Sequence, residues 1–416
     1  MSEVNDIPNG WLQTTIGELV KLAQGLAINA KTNYVLSDKE NGIPLLKINN
    51  LLNNTIDQYA NPELVPKQSI IHKNDVIFTR TGQVGEVLIN KYGILHNNSF
   101  KVIPNEELHW SYLYWYLKDR RVYNYVQKVA AGSVQKDLNH GAFKTIEFKY
   151  PKDIEEQKAI ANILTAFDDK IENLQAQNKT LEQTAQTIFK EWFGKYQVGN
   201  DLPDGWRVGE LDEFIEFING YSFKSKELLK EQEADCYKVF KMGDIKKGGG
   251  FNHNKTKSYF PKKDASKLDK YILKNGDLLM SMTDMKDAIS LLGHTALMIY
   301  DNEYIVNQRV GLIRAKNEIN IDYPFLYLLT NDAYFIANLR GRANSGVQIN
   351  LSTKAIKESL FNVPDKDTNK KFNDLVKPLF EKRKNNYIEI QSLKKTRDTL
   401  LPKLMSGKIR VNEFKD

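Results

Sequence analysis

The chain repeats itself, and that duplication constrains its fold more than any other feature. Pro8-Asn9-Gly10-Trp11 returns as Pro203-Asp204-Gly205-Trp206. Val134-Gln135, after Gly132-Ser133, returns as Val347-Gln348 after Ser345-Gly346. Pro151 returns as Pro364 and Gly194-Lys195 as Gly407-Lys408, and these last three matches share one offset (348 − 135, 364 − 151 and 407 − 194 each give 213). The Trp pair is offset by 206 − 11 = 195, so the second copy carries 213 − 195 = 18 additional residues in its body. A match spread over half a chain is a duplicated domain; solenoid periods run near ~20–50 residues. The resulting pseudo-two-fold suits a target with two related halves.

With 416 residues, two or more domains can each bury a core. The formal charge of +7 and pI of 8.9 suit a polyanionic partner, although the bias is mild at this length. Cys236 is the only cysteine, which excludes an intrachain disulfide framework and fits a reducing cytosol. Met1-Ser2-Glu3-Val4-Asn5-Asp6 has neither the basic nor the apolar region of a signal peptide, and no apolar run approaches a bilayer span. These features predict a soluble, cytoplasmic protein.

Each copy divides into a mixed body and a long helix. In the bodies, roughly 10–150 and 205–363, short apolar runs are punctuated by Gly, Asn and Pro. Asp75–Arg80 and Asp277–Ser281 each follow a Lys-Asn turn signal and read as matching strands, and Gly85–Ile89 and Tyr304–Val306 continue the pattern. Trp110–Val129 and Tyr323–Leu339 read as aromatic-rich helical stretches that pack the core. The fold class expected is α+β, as two duplicated bodies.

From Asp153 to Trp192 there is neither Pro nor Gly, and from Ile171 onward apolar residues step alternately by three and four. The seam runs through Ile171, Leu174, Asn178, Leu181 and Ile188, with Asn178 as its one polar member, a residue able to fix register. Forty residues make a rod of roughly 60 Å, which needs a partner. The region 365–408 offers one, through Tyr387, Ile390, Leu393, Leu400 and Leu404, after a rougher stretch with Phe372, Leu375 and Leu379. Arg383 and Arg397 read as interruptions, and Pro378 and Pro402 as kinks or restarts. Residues 152–191 carry 5 basic and 8 acidic side chains (net −3), residues 365–408 carry 12 and 6 (net +6), and opposite signs favour pairing. The natural closure of such a duplicated molecule is an antiparallel coiled coil.

Catalytic motifs are missing. Ser406-Gly407-Lys408-Ile409 lacks the rest of a P-loop, and Lys246-Lys247-Gly248-Gly249-Gly250 reads as a flexible basic turn. There is no Pro-Pro for an adenine methyltransferase motif. Glu147-Phe148-Lys149 has no upstream Pro-Asp to complete a nuclease site, and the six histidines have no ligand spacing. The expectation is a protein with no catalytic residues and no metal.

Body, long helix, body, long helix resembles the layout of the specificity subunit of type I restriction–modification systems. The phrases Lys73-Asn74-Asp75-Val76-Ile77-Phe78-Thr79-Arg80-Thr81-Gly82 and Tyr304-Ile305-Val306-Asn307-Gln308-Arg309-Val310 are similar to that family, as are the helix start Tyr150–Lys158 and the ending Thr399–Ile409. Pro364–Lys370 departs from it, lacking the Glu-Gln pair found at Glu156-Gln157. The resemblance implies target-recognition domains over 1–151 and 195–364, spacer helices over 152–194 and 365–408, and a tail over 409–416. It implies that each domain reads one half of a bipartite site in double-stranded DNA while the paired helices set the spacing. The implied partners are two adenine methyltransferase subunits and endonuclease/translocase subunits. No cofactor is expected in the chain itself; S-adenosylmethionine, ATP and Mg would belong to the partners.

Base readout needs forked or amide side chains, and positioning needs Lys, Arg, Ser or Thr on phosphates. In the first domain the candidates are Lys47, Arg80, Thr81, Gln83, Ser133, Gln135 and Lys136. In the second they are Lys241, Ser281, Thr283, Lys286, Arg309, Arg342, Ser345 and Gln348. The competing reading is a non-catalytic two-domain adaptor whose coiled coil binds protein partners and whose basic charge is incidental.

Overall fold

The computed structural model describes residues 7–132, 136–253, 255–285, 289–316, 321–344 and 348–411. Ser133, Gln135, Lys286 and Ser345 among the DNA-contact candidates lie outside them. The chain forms two compact units, residues 1–173 with 389–416, and residues 174–388.

In the first unit, Trp11–Thr15 pairs antiparallel with Glu147–Pro151, clasping the two ends of the body. A four-stranded sheet has the order Val20–Gln24, Ser99–Pro104, Val76–Thr79, Val87–Leu88, and a five-stranded sheet is centred on Ile43–Leu46 and Gly93–Leu95, which run parallel. The second unit repeats the scheme. Arg207–Glu210 pairs with Leu360–Val363, and a four-stranded sheet has the order Ile215–Asn219, Val310–Ala315, Leu278–Ser281, Thr295–Leu297. Cys236–Phe240 runs parallel to Tyr304–Val306.

The expected helical stretches are each split in two. Asp119 and Asp332 turn the chain and cap new helices, Arg120–Val129 and Ala333–Gly341, by accepting backbone N–H groups. The preceding helices, Trp110–Leu117 and Tyr323–Leu329, bury Tyr112, Trp115, Tyr116, Phe325 and Tyr327 against the sheets.

The register locates the inserted residues. Lys47 and Lys241 occupy equivalent positions after parallel strands; 258 − 241 exceeds 58 − 47 by six, and 304 − 281 exceeds 93 − 79 by nine. Fifteen of the eighteen additional residues therefore fall in two loops of the second body.

The long helices span Ile154–Phe193 and Lys366–Leu404. Within the first unit Asp168 meets Arg397 and Lys170 meets Glu389; within the second, Asn178 meets Asn386 and Glu182 meets Arg383. Numbers rise on one helix as they fall on the other, so the pairing is antiparallel in each unit. Ile171, Leu174, Ile390 and Leu404 are buried, and Leu181, Ile188, Tyr387, Leu393 and Leu400 half-buried.

Four expectations are corrected here. The second helix passes through Pro378 unbroken, because burying Phe372, Val376 and Phe380 at ~1.5–3 kcal/mol each outweighs a proline cost of about 3 kcal/mol. Its stripe keeps Phe372, Ile390 and Leu404 but lies one residue along elsewhere: Leu375 is 47% exposed, whereas Val376, Phe380 and Leu401 are buried. Arg383 does not interrupt this seam; with Asn386 it fills it. Asn178 is not a lone polar residue either, since Asn386 donates to its Oδ1 at 3.0 Å.

Glu156 and Gln157 are also inward-facing. Gln157 is fully buried, donating to the carbonyls of Glu107 and Pro151 and accepting from the His109 N–H. Glu156 accepts from Trp11 and from both sides of the Arg410 fork. In the second unit Asp365 takes the Trp206 indole N–H at 3.1 Å.

Candidate nucleic-acid interface

Three adjacent strands of each four-stranded sheet end at one edge. In the first unit they deliver Gln24, Arg80 and the turn His96–Asn98 to the same place. Gln24 Nε2 donates to the Asn97 carbonyl at 2.5 Å, and the Arg80 N–H donates to the Asn98 carbonyl at 2.9 Å. The Arg80 guanidinium forks onto Asp137 (2.6 Å) and Gln24 (3.4 Å), and Thr81 Oγ1 donates to the other Asp137 oxygen at 2.6 Å. Partial burial opposes charge on Asp137, but these hydrogen bonds hold its carboxyl below its ordinary pKa. Burial pushes the neighbouring His140 down, helped by Arg80 and Lys144.

Arg80 therefore fastens segment 136–138 to the strand end. Gln83 lies on the exposed turn between Gly82 (φ +81°) and Gly85 (φ +99°), a conformation glycine adopts without strain. Lys136 is exposed and donates to Gln127. Lys47 caps the helix Ile48–Asn53 and donates to Gln58 at 2.7 Å.

The second unit builds the same edge from different side chains. Asn219 takes Gln24's place and accepts from Thr353 at 3.1 Å; Gln308 accepts from Ser222 at 2.9 Å. Arg309 is exposed, its carbonyl receiving the Met282 N–H as Asn98 receives that of Arg80. The position of Arg80 thus belongs to Met282, and that of Asn98 to Arg309. Thr283 pairs with Asn350, and Gln348 with Met285, in a short ladder whose first rung matches the Thr81–Asp137 bridge of the first unit. Lys241 repeats Lys47, donating to Ser258 at 2.6 Å.

Two candidates change role. Ser281 is fully buried at the end of its strand and donates to the Thr283 carbonyl, so it serves the fold and cannot reach DNA. Arg342 caps its helix and donates to the Glu358 carbonyl in a groove lined by Val198, Tyr334, Asn338 and Ser359, so it is not the counterpart of Arg80.

The sequence reading missed Gln24, Asn97, Asn98, Asn219 and Gln308. The signal was present: 308 − 97 and 309 − 98 both give 211, the offset that relates the strands Ser99–Pro104 and Val310–Ala315. Gly25 and Gly220, offset by 195, mark where the edge is tightest. A Cβ there would lie 2.3 Å and 2.1 Å from the carbonyl oxygens of His96 and Asn307.

No group of His, Cys, Asp or Glu able to hold a metal is found among the described residues, and no helix is long and apolar enough to cross a membrane.

The duplicated bodies have counterparts in known proteins. Residues 8–183 and again 203–393 match the type I restriction modification DNA specificity domain. The chain belongs to this family. Each specificity domain takes in one body and the part of a long helix that follows it. The MjaIX specificity subunit of a type I restriction enzyme from Methanocaldococcus jannaschii is 28% identical over 358 residues, covering 83% of this chain and 80% of that one. The MjaVIII specificity subunit of the same organism is 25% identical, covering 98% and 95%. The S subunit of a type I restriction–modification system from M. genitalium superposes with a TM-score of 0.59 at 19% identity over 97% of this chain and 98% of that one, which shows a shared fold.

Proposed function

We propose that this specificity-domain chain is the sequence-reading subunit of a type I restriction–modification complex, each body recognising one half of a bipartite DNA site. One observation carries the reading: both bodies end three sheet strands at an edge with amide side chains, Gln83 and Asn97 in one and Gln308 and Gln348 in the other, where Arg309 adds a cation. Amides and arginine are the groups that bind base edges with two hydrogen bonds. Lys47, Lys136 and Lys241 would position the backbone and Thr81 and Thr283 would support the turns, with Arg80 holding the first edge in shape.

The chain performs no reaction in this reading. Methyl transfer from S-adenosylmethionine to adenine belongs to two methyltransferase subunits, and ATP- and Mg-dependent translocation and cleavage to endonuclease subunits, all in the cytoplasm. The test is to map adenine methylation in DNA from cells expressing the chain with its methyltransferase. Methylation at one split sequence is expected, with none when this chain is omitted. The purified chain alone should neither methylate nor cleave DNA; methyl transfer by it would overturn the reading.

The long helices would set the gap between the half-sites. One heptad added after Leu174 and another after Ile390 keeps the seam and adds roughly 10 Å, or about three base pairs at ~3.4 Å each. Selection from a library of randomised gap lengths should return a gap longer by that amount, with the bases of each half unchanged. Strong binding at the parental gap would refute the spacer role.

A further inference from the structure

The loop after Lys47 and the loop after Lys241 hang from the same frame but differ in charge. In both, the lysine N–H is capped three residues on, by Asn50 or Asp244, and its ammonium donates to a residue at the far end of the loop, Gln58 or Ser258. The first loop, residues 48–58, has no Lys or Arg and one acid, Asp57, which accepts from Asn50. The second, residues 242–258, is six residues longer and has four lysines, Lys246, Lys247, Lys255 and Lys257, against one acid. That acid, Asp244, is 3% exposed and turned inward, accepting from the Lys241 N–H at 2.7 Å and Thr256 at 3.0 Å. All four lysines are exposed. The outer face of this loop is therefore purely cationic, and its sister's is not.

The loop is also held firmly beside the reading edge. Met242 Sδ accepts from Thr283 Oγ1 at 3.3 Å. Gly248, Gly249 and Gly250 turn the chain with φ of +79°, +97° and +95°, values that glycine alone adopts routinely. The Gly250 N–H donates to the Thr295 carbonyl, and a Cβ on Gly249 would lie 2.3 Å from Asn331 Oδ1. Asn331 is itself fixed by the Thr295 N–H and the Tyr327 carbonyl. The turn expected to be flexible is seated on the end of a core helix.

We propose that the second body carries a phosphate-gripping loop, Lys246, Lys247, Lys255 and Lys257, that the first body lacks, so that its half-site is held with much the stronger dependence on salt. This rests on the DNA-reading function proposed above and adds to it a division of labour: both bodies read bases and position the backbone, and the second adds a stronger sequence-independent grip on it. Lysine ammonium groups suit this role because they neutralise phosphates as point charges without demanding a particular base.

The experiment measures affinity of the full chain with its methyltransferase for duplex carrying the mapped site, from about 50 to 200 mM salt, where each neutralised phosphate contributes about 0.9 to the log–log slope. Changing all four lysines to Gln should reduce the slope by roughly 2–4 while leaving base preference in both halves intact. An unchanged slope would show the lysines to be merely solvated and overturn the proposal. A smaller slope with altered bases in the second half would overturn the sequence-independent grip. Failure of the unaltered protein to prefer its site over scrambled duplex would instead sink the DNA-reading function itself. Thermal melting establishes that the variant is folded.

Discussion

Replacing Arg383 with alanine is expected to destabilise the second unit by about 3–5 kcal/mol, the cost of breaking a buried ion pair from one side. Arg383 is 8% exposed, donates to Glu182 at 2.8 Å, and lies over the rings of Tyr327 and Phe380. Burial disfavours its charge, but Tyr327 and Glu182 raise its pKa. Glu182 also accepts from the Tyr327 hydroxyl at 2.6 Å. Removal of the guanidinium leaves a carboxylate facing aromatic surface with half its partners gone. The measurement is urea unfolding of the full chain, followed by probes in each unit, because two units need not unfold together. The second unit's transition should move and the first's should stay. Arg383→Met combined with Glu182→Gln should recover most of the loss, since a neutral pair of similar volume carries no desolvation penalty. A loss under about 1 kcal/mol would place the pair among solvent-screened surface bridges.

The second large effect is expected at Gly25 and Gly220, and it is selective. The atom a new Cβ would strike is a backbone carbonyl in each case, so the strand must shift; overpacking of this kind costs about 1–3 kcal/mol or more. The shift falls on the turns bearing Asn97 and Asn98, or Gln308 and Arg309. Gly25→Ala should therefore abolish discrimination in one half-site and Gly220→Ala in the other, read out by binding to duplexes randomised in one half at a time. If Gly25→Ala left discrimination intact in both halves, the strand edge would not be the reading surface.

Some of this was legible without coordinates. The 213-residue offset predicted two bodies of one plan, and a forty-residue stretch without Pro or Gly predicted the first long helix, found as Ile154–Phe193. These features depend on local pattern, which a linear reading detects. Residues whose surroundings depend on a distant partner were not legible in this way. Arg80 looked like a free fork in a turn, but Asp137 is 57 positions away and takes it. Ser281 looked like a polar strand end, and burial by neighbouring strands removed it from the surface. Glu156-Gln157 carried a family resemblance in the sequence, and only the structure makes it the internal joint between the body, the long helix and Arg410.

The same division holds in the helical pair. The sequence by itself determined that two long helices of opposite net charge exist and which turns face inward on the first. Only the tertiary structure decided the phase of the second, because Arg383 and Asn386 count as polar by composition and as core once Glu182 and Asn178 oppose them. A buried polar group is costly without a partner, and the partners here, Asn178 for Asn386 and Glu182 for Arg383, lie about two hundred positions away along the chain.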